Sequence, residues 1–366
     1  MTNNNYQIYF DCGFSKLRAG AFNKLDSNQT FYTESKFLFN HMEIDLEIQK
    51  VITFLEKKTN EYIDDVNLMI DSHKMISINI SISKKIDESE LREEDIQFLV
   101  QEAKQLILKH YNSLNITHII IDNYKVNNID YDYLPKNIKC NFISLDISFI
   151  CLPEKIIEYF KNIFYKFDIS INQTICSSYA KTMNYKDNFS SHKNISFIDI
   201  GFNKTSITTY INDKIVSLSA IPIGGNSITK DISEVLKNDT KYAENLKINF
   251  EKNKTLLSDK NEMFWKIVFA RFEEILEICV QSIKLNLTIK DQNKMILMGD
   301  GSKILDNPHK DKIFCANDIE FLEETTDNIC KSGFKLGMGS NKQEVVVVQK
   351  KQIKQGFFEK IFHFFK

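Results

Sequence analysis

The sequence predicts an α/β protein of two lobes around a cleft, with a small inserted α/β block and a C-terminal amphipathic helix. Three observations predict it. Residues 8–22, IYFDCGFSKLRAGAF, and residues 195–210, ISFIDIGFNKTSITTY, share one layout: an apolar strand, Asp-x-Gly, a short polar turn and a departing strand. Between them, residues 82–165 restart as a self-contained run of helix and strands. The last eleven residues, GFFEKIFHFFK, segregate phenylalanines from charges at helical period.

Composition supports a folded body. A chain of 366 residues can bury a sizeable core, and its length suggests two domains or one large two-lobed one. Hydrophobic residues at 43%, charged residues at 26%, and only 4 Pro and 11 Gly describe an ordered globular chain. A net charge of -2 shows no basic excess, so no nucleic-acid partner is expected. Cysteines at 12, 140, 151, 176, 279, 315 and 330 form no C-x-x-C pair and no metal-ligand spacing, which suits a reducing compartment. No apolar run reaches the roughly 18 residues of a membrane span. The N-terminus MTNNNYQIYF is no secretory signal, so triplets such as 194–196 are not read as glycosylation sites.

Element by element, residues 8–22 read as two strands joined by a tight turn around Gly13 and Ser15, with SKFLF (36–40) as a third. Ile48, Val51, Ile52 and Leu55 place a helix within 45–63, followed by strands VNLMI and MISINISIS. In LREEDIQFLVQEAKQLILKHY, Ile96, Leu99, Val100, Ala103, Leu106 and Ile107 share one helix face, and the acidic first turn suits the helix dipole. Strands THIIID and CNFISLDISFI and a helix over EKIIEYFKNIFYKF complete the block. After the second Asp-x-Gly segment come strand KIVSLSAIPIGG, helices NSITKDISEVL and KYAENLKINF, a long helix near 261–287 and strand KMILMGDGS. The resulting division is 5–81 for the first lobe, 82–165 for the insert, 166–194 for the return to the first lobe and 195–339 for the second lobe. A linker over 340–355 leads to the helix at 356–366, unless the valine run 345–348 adds an edge strand.

The chemistry concentrates at the two turns. Asp11 and Asp199 each end a buried strand, and Gly13 and Gly201 let the backbone approach a ligand. Two such turns face to face can hold a polyphosphate through backbone N–H groups while the carboxylates bind magnesium-ligated water. Downstream, IPIGG (221–225) leads into a helix. Glu244 and Lys247 lie one helical turn apart, a spacing that serves a surface ion pair as readily as a ligand. MGDGSKI (298–304) is a glycine turn after a buried strand, where a base can lie flat.

In the tail, Phe357, Phe358, Ile361, Phe362, Phe364 and Phe365 occupy an arc of roughly 160° at 100° per residue, opposite Glu359, Lys360, His363 and Lys366. Residues 350–366 carry five lysines and one glutamate. About three turns of helix are marginal in water without a surface to lie on. The basic flank suits an anionic lipid surface at roughly 1 kcal/mol per lysine, and each buried phenylalanine adds on the order of 2 kcal/mol. The tail therefore reads as a reversible membrane anchor, with docking on its own protein as the alternative.

Taken in order, FDCGFSK, FIDIGFNKTSI, IPIGGNSITKDI, YAENLK, ARFEEILEI and ILMGDGSKI resemble the motifs of the actin/Hsp70-type ATPase superfamily. The run PIGGNSITKDI, AENLK and ARFEEI is similar to the FtsA family of bacterial cell-division proteins. The likeness covers essentially the whole chain and is dense over 195–305. It implies an actin-like ATPase fold, with the 82–165 block at the position of that family's SHS2-like inserted domain.

The resemblance further implies ATP and magnesium as cofactors, with Asp11, Gly13, Ser15 and Lys16 at the first phosphate turn and Asp199, Gly201 and Thr205 at the second. Gly224, Gly225, Glu244 and Lys247 would lie on the ribose and adenine side, and Gly299, Gly301 and Ser302 behind the base. Asp11 and Asp199 would hold the metal through water. Family members carry close to D-I-G-G-G-T-T-D at the second turn; here Phe202 and Asn203 replace glycines, Lys204 adds a point charge and Ser206 stands for Asp. Weak or absent ATP hydrolysis follows, and no catalytic base is identified. The implied partners are FtsZ, other divisome proteins, further copies of the chain and an anionic membrane, at the cytoplasmic face of the inner membrane at the division site. A pilus or secretion adaptor of the PilM kind is the rival within the same fold; a sugar-kinase-like or chaperone-like ATPase lacks its acceptor-base motif or substrate domain.

Overall fold

The computed structural model describes residues 4–26, 28–36, 41–135, 138–249, 261–287, 293–304, 319–338 and 344–345. Two of its sheets are built alike. Strands β1 (Tyr6–Cys12), β2 (Lys16–Asn23) and β3 (Thr30–Lys36) form an antiparallel meander, and β4 (Asp65–Ile70) and β9 (Ser170–Cys176) add in parallel, giving the order β3-β2-β1-β4-β9. In the second sheet, β10 (Asn194–Ile200), β11 (Thr205–Ile211) and β12 (Lys214–Ile221) form the meander and β13 (Lys294–Met298) and β14 (Ile319–Phe321) the parallel half, in the order β12-β11-β10-β13-β14. The layout shared by residues 8–22 and 195–210 is thus the first hairpin of two topologically identical sheets. The third strand of the first sheet lies over Thr30–Lys36 and pairs by antiparallel register with β2, which the alternation in FYTES sustains, and residues 37–40 of the strand expected at 36–40 lie outside the described residues.

Buried parallel strands need apolar residues on both faces, and β4 and β10 have them: all but the first residue of β4 and every residue of β10 is buried. Helices α1 (His41–Thr59), α3 (Glu154–Tyr165) and α4 (Ser177–Tyr185) cover the first sheet together with α8 (Thr326–Gly337). Phe22 stacks on Phe334 of α8 at 4.4 Å and Phe10 meets Phe164 of α3 edge-on at 5.1 Å, geometries that add to simple apolar burial. The segment 326–337, placed in the second lobe by its position in the chain, therefore packs on the first sheet. Helices α5 (Gly225–Leu236), α6 (Thr240–Ile248) and α7 (Asn261–Lys284) enclose a separate core over the second sheet.

The third sheet has the order β15-β6-β8-β5, from β5 (Ile76–Glu90), β6 (Leu114–Val126), β8 (Lys139–Pro153) and the two-residue β15 (Glu344–Val345), with β7 (Ile129–Tyr131) as a hairpin on β6. Asn127 and Asn128 both take positive φ at that hairpin, as do Asn212 and Asp213 between β11 and β12; asparagine and aspartate tolerate the left-handed backbone of a two-residue turn. Helix α2 (Glu93–His110) buries Ile96, Leu99, Val100, Ala103 and Ile107 against this sheet, whereas Leu106 is 42% exposed at the margin of the apolar face. Strand β5 runs unbroken through residue 82, and the buried face of α3 joins the core of the first lobe. The sheet leans on the second lobe: Asn79 Nδ2 donates to the Val216 carbonyl at 3.0 Å and Leu218 N–H donates to Ser77 Oγ at 2.8 Å.

Glu344 and Val345 pair antiparallel with Ile120 and Ile119, so part of the stretch read as a linker is an edge strand. The six cysteines among the described residues are free and buried. No helix among the described residues is long and apolar enough to cross a membrane. The amphipathic segment 356–366, with Phe357, Phe358, Lys360, Ile361, Phe362, Phe364, Phe365 and Lys366, lies outside the described residues.

Candidate functional site

The two Asp-x-Gly segments close into matching turns. Gly13 N–H donates to the Lys16 carbonyl at 3.0 Å, and Gly201 N–H donates to the Lys204 carbonyl at 2.9 Å. Laid on one another, DCGFSKLR (11–18) and DIGFNKTS (199–206) share Asp, Gly, Phe and Lys at the same places. Cross-strand register completes the match, with Asp11 opposite Arg18 and Asp199 opposite Ser206. Phe202 and Lys204 are therefore the counterparts of Phe14 and Lys16 in this chain rather than isolated departures.

Of the residues expected at a site, Asp11, Gly13, Ser15, Lys16, Asp199, Gly201 and Gly299 line one cavity of about 90 Å³. That is roughly the share of three water molecules, the scale of one phosphate group. Cys12, Phe14, Arg18, Asp71, Ser177, Lys181, Phe202, Asn203, Lys204, Asp300 and Glu324 complete the wall. Asp71 directly follows the apolar strand VNLMI, so that, like Asp11 near the end of β1, it is a carboxylate at the end of a buried strand, and that likeness is its sequence signal. Lys181 had a weaker one, a lysine inside the otherwise small and apolar start of α4. Arg18 is legible once its register opposite Asp11 is known, and nothing local singles out Glu324.

Each carboxylate of this wall has a cation of the chain on it. Asp11 accepts from Arg18 Nη1 at 3.0 Å and from Ser177 Oγ at 2.6 Å. Asp199 accepts from Lys181 Nζ, whose next contact is Glu324 Oε2 at 3.4 Å. Asp71 takes Lys204 Nζ at 3.1 Å and Ser178 Oγ at 2.6 Å. Asp300 receives Lys16 Nζ and Arg18 Nη2, both at 2.7 Å, and Lys303 Nζ at 2.7 Å.

The electrostatics follow from burial set against these partners. Burial alone would raise Asp71, but Lys204 and the Ser178 hydrogen bonds bring it down to about 2. Asp300 is likewise held well below the usual carboxylate range by Arg18, Lys16 and Lys303 against the cost of its burial. Glu324 is pushed up to about 7 by burial, with Lys181 opposing and Asp199 reinforcing the shift. Its Oε1 is buried with no hydrogen-bond partner among the described residues. Burial would lower Lys181, yet Asp199 and Glu324 keep its ammonium firmly charged.

The remaining expected residues do not line the cavity. Thr205 is fully buried and its hydroxyl donates to the Ile223 carbonyl at 2.8 Å. Gly225 N–H and Asn226 N–H, at the start of α5, donate to the Gly201 and Phe202 carbonyls at 2.9 and 2.7 Å, so the second turn itself caps that helix. A Cβ on Gly224 would lie 2.6 Å from the Gly201 carbonyl oxygen and 2.7 Å from that of Phe202; this glycine answers to backbone packing. Gly299 takes φ +91°, and a Cβ on Gly301 would sit 2.8 Å from the Ile200 carbonyl oxygen. A Cβ on Gly225 would lie 3.6 Å from Gly301 Cα, so the turn over 299–301 stands close to the start of α5.

Lys247 Nζ spends its donors inside the lobe, on the Gly225 carbonyl (2.8 Å), Thr229 Oγ1 (2.6 Å) and Glu244 Oε2 (2.7 Å), and lies 5.8 Å from the Phe202 ring centre. The Glu244–Lys247 pair therefore ties α6 to α5. Ser302 Oγ donates to the Gly299 carbonyl at 2.7 Å and closes its own turn.

A divalent ion at these turns would call on Asp11 and Asp199. Both already hold a buried cation of the chain, and no cluster of three or more His, Cys, Asp or Glu side chains able to hold a metal is present among the described residues. With Arg18 on Asp11 and Lys181 on Asp199, the donor set as it stands does not fit a magnesium ion held through these two carboxylates.

Comparison with known proteins agrees with the architecture. The profile of the family described as "Cell division protein FtsA" matches residues 196–306, the second lobe through its glycine turn. The cell division protein FtsA of Buchnera aphidicola subsp. Acyrthosiphon pisum is 25% identical over 352 residues, covering 82% of each chain. Among solved structures, a chain of the PilM-PilN type IV pilus biogenesis complex superposes with a TM-score of 0.60 over 91% of this chain and 96% of its own, at 11% identity. The ethanolamine utilization protein EutJ from Carboxydothermus hydrogenoformans does so at 0.54 over 90% and 89%, at 9% identity. At such identities the superpositions speak for the fold, and the sequence relatives for the family. In sequence the chain is similar to FtsA cell division proteins, and its architecture is the actin-like ATPase fold.

Proposed function

We propose that the protein is a cell-division adaptor: it binds adenine nucleotide between its lobes, self-associates, and holds FtsZ at the membrane through its C-terminal amphipathic segment. One observation carries the reading. Two matched turns, each with Asp, Gly and Lys in the same places, face one phosphate-sized cavity in a chain whose sequence relatives are FtsA proteins. Anchoring rests on the clean separation of Phe357, Phe358, Ile361, Phe362, Phe364 and Phe365 from Lys360 and Lys366. Hydrolysis is weak or absent in this reading, because Asp11, Asp71 and Asp199 all accept from in-chain cations and none is free to orient a water. The chain's own residues bind and neutralise phosphate: Lys16, Arg18, Lys181 and Lys204 all reach the cavity wall. Magnesium is not carried into the proposal.

A pilus-type adaptor is the second reading, favoured by the superposition on the PilM–PilN chain. The tail separates the two, since an adaptor that works through protein grooves alone has no use for a lipid-binding helix. Co-sedimentation with anionic vesicles tests this directly. The full chain is expected to pellet and a chain lacking residues 356–366 to stay in solution; equal pelleting of both would remove the anchor.

A further inference from the structure

We infer that Lys181 is a resident cation on Asp199 and beside Glu324, supplying the positive charge that a divalent metal would bring to the second turn, and that the cleft takes its nucleotide metal-free. The inference rests on the reading that the cleft binds nucleotide and specifies in what form.

Lys181 projects from α4, is only 7% exposed, and places its ammonium on Asp199 with Glu324 Oε2 3.4 Å away. The Glu324 side chain is 5% exposed, lines the cavity and keeps one oxygen without a partner, so the ammonium is the charge that this carboxylate meets. The first turn repeats the arrangement with different residues. There the Arg18 guanidinium and the Ser177 hydroxyl occupy Asp11. Magnesium held by one or two carboxylates through its waters needs those oxygens free to accept from the water. Here both turn carboxylates have a positively charged donor of the chain on them, and an incoming dication would sit beside a buried ammonium.

Charge on a bound polyphosphate is met without a metal. Lys16 and Lys204 hold equivalent places on the two turns, and Arg18 and Lys181 stand behind them, so four cations from both lobes converge on one small cavity. Ammonium and guanidinium groups carry several donors each, and those not spent on Asp11, Asp71, Asp199 and Asp300 remain for phosphate oxygens.

The test is calorimetric titration of the full chain with ATP, once in excess EDTA and once in excess magnesium. The two affinities are expected to agree within about threefold, below the roughly 5- to 150-fold linkage of coupled sites. Tightening by magnesium of tenfold or more, on the order of such linkage, would overturn the resident cation and leave the nucleotide reading standing. Absence of binding under both conditions would overturn the nucleotide reading and this inference with it. Lys181→Met frees Asp199 and Glu324 and is expected to make ATP binding magnesium-dependent, whereas Lys181→Arg keeps it independent. The wild-type pair of titrations decides the matter even where Lys181→Met does not fold.

Discussion

Arg18 of the first lobe reaches Asp300 of the second at 2.7 Å while its other terminal nitrogen holds Asp11, the residue directly opposite it on the hairpin. One guanidinium thus fixes a turn and spans the cleft, a use suited to a planar fork with several donors. Lys204 makes the reverse tie, from the second lobe to Asp71 of the first, and Ser178 Oγ meets Ser206 Oγ at 2.8 Å between them. The lobes are joined by side chains of the protein itself.

Removing the first tie should loosen the cleft without unfolding either lobe. Asp300→Asn is expected to cost about 1.5–3 kcal/mol, the range for hydrogen bonds to charged groups, and to fall at its low end because Asp300 is about one-third exposed. A double-mutant cycle with Arg18→Met, followed by denaturant unfolding, should return a coupling energy of at least about 0.5 kcal/mol. Strict additivity would show the contact to be energetically idle.

Gly224 and Gly225 make a paired test of why glycines stand before α5. A Cβ at 224 meets three backbone atoms at 2.6–2.8 Å, whereas at 225 its nearest neighbours lie at 3.5–3.6 Å. Gly224→Ala should therefore destabilise by about 1–3 kcal/mol, as overpacking does. Gly225→Ala should lie within about 0.5 kcal/mol of wild type, as substitutions away from such features do. Thermal melting of both variants checks the contrast, and equal losses would count against the packing argument.

Two carboxylates of the cleft give opposite pH arms. Asp71, lowered from 3.8 to about 2, contributes stability that is present above pH 4 and lost as pH falls toward 2. Glu324, raised from 4.5 to about 7, binds a proton in the folded state that the unfolded chain lacks between those values, so stability falls as pH rises from 4.5 to 7. Glu324→Gln should flatten the upper arm. Asp71→Asn should remove the lower one and, by leaving buried Lys204 without its carboxylate, cost about 3–5 kcal/mol at neutral pH. In denaturant midpoints across pH 2–8, a lower arm unchanged by Asp71→Asn or an upper arm unchanged by Glu324→Gln would contradict the respective assignment.

How much of this was legible in the sequence differs between fold and site. The duplicated hairpins were visible because strand, Asp-x-Gly and strand recur with the same apolar alternation, and the helix faces followed from period alone. The strand at 30–36 was not, since FYTES is half polar and becomes a strand only by pairing with β2. At the site, Asp11 and Asp199 were readable because a carboxylate ending a buried strand stands out locally. Lys181, Arg18 and Glu324 were not, because their meaning lies in contacts between segments 18 to 282 residues apart. The glycines at 224 and 301 answer to backbone packing in this fold, a purpose the sequence alone does not separate from a ligand's close approach, since both leave the same residue.

The edge strand at 344–345 connects the C-terminal region to the core through one histidine. Cys176 N–H donates to His118 Nε2 at 2.9 Å, which places the ring proton on Nδ1, facing Glu344 Oε1 at 2.6 Å. Cys176 immediately precedes Ser177 and Ser178, the hydroxyls that hold Asp11 and Asp71. Glu344→Ala leaves a buried N–H without its acceptor and should cost about 1–3 kcal/mol. Faster hydrogen exchange of β6 around Ile119 and Ile120 should accompany it, and unchanged protection there would mean that β15 contributes nothing to the sheet.

In the proposed function this chain carries the division machinery to a membrane. Fluorescence imaging of the full chain and of a chain lacking residues 356–366, in dividing cells with labelled FtsZ, tests it most directly. A mid-cell ring coincident with FtsZ is expected, becoming diffuse when the tail is removed. A polar or uniform membrane signal of the full chain, or a ring that persists without the tail, would contradict it.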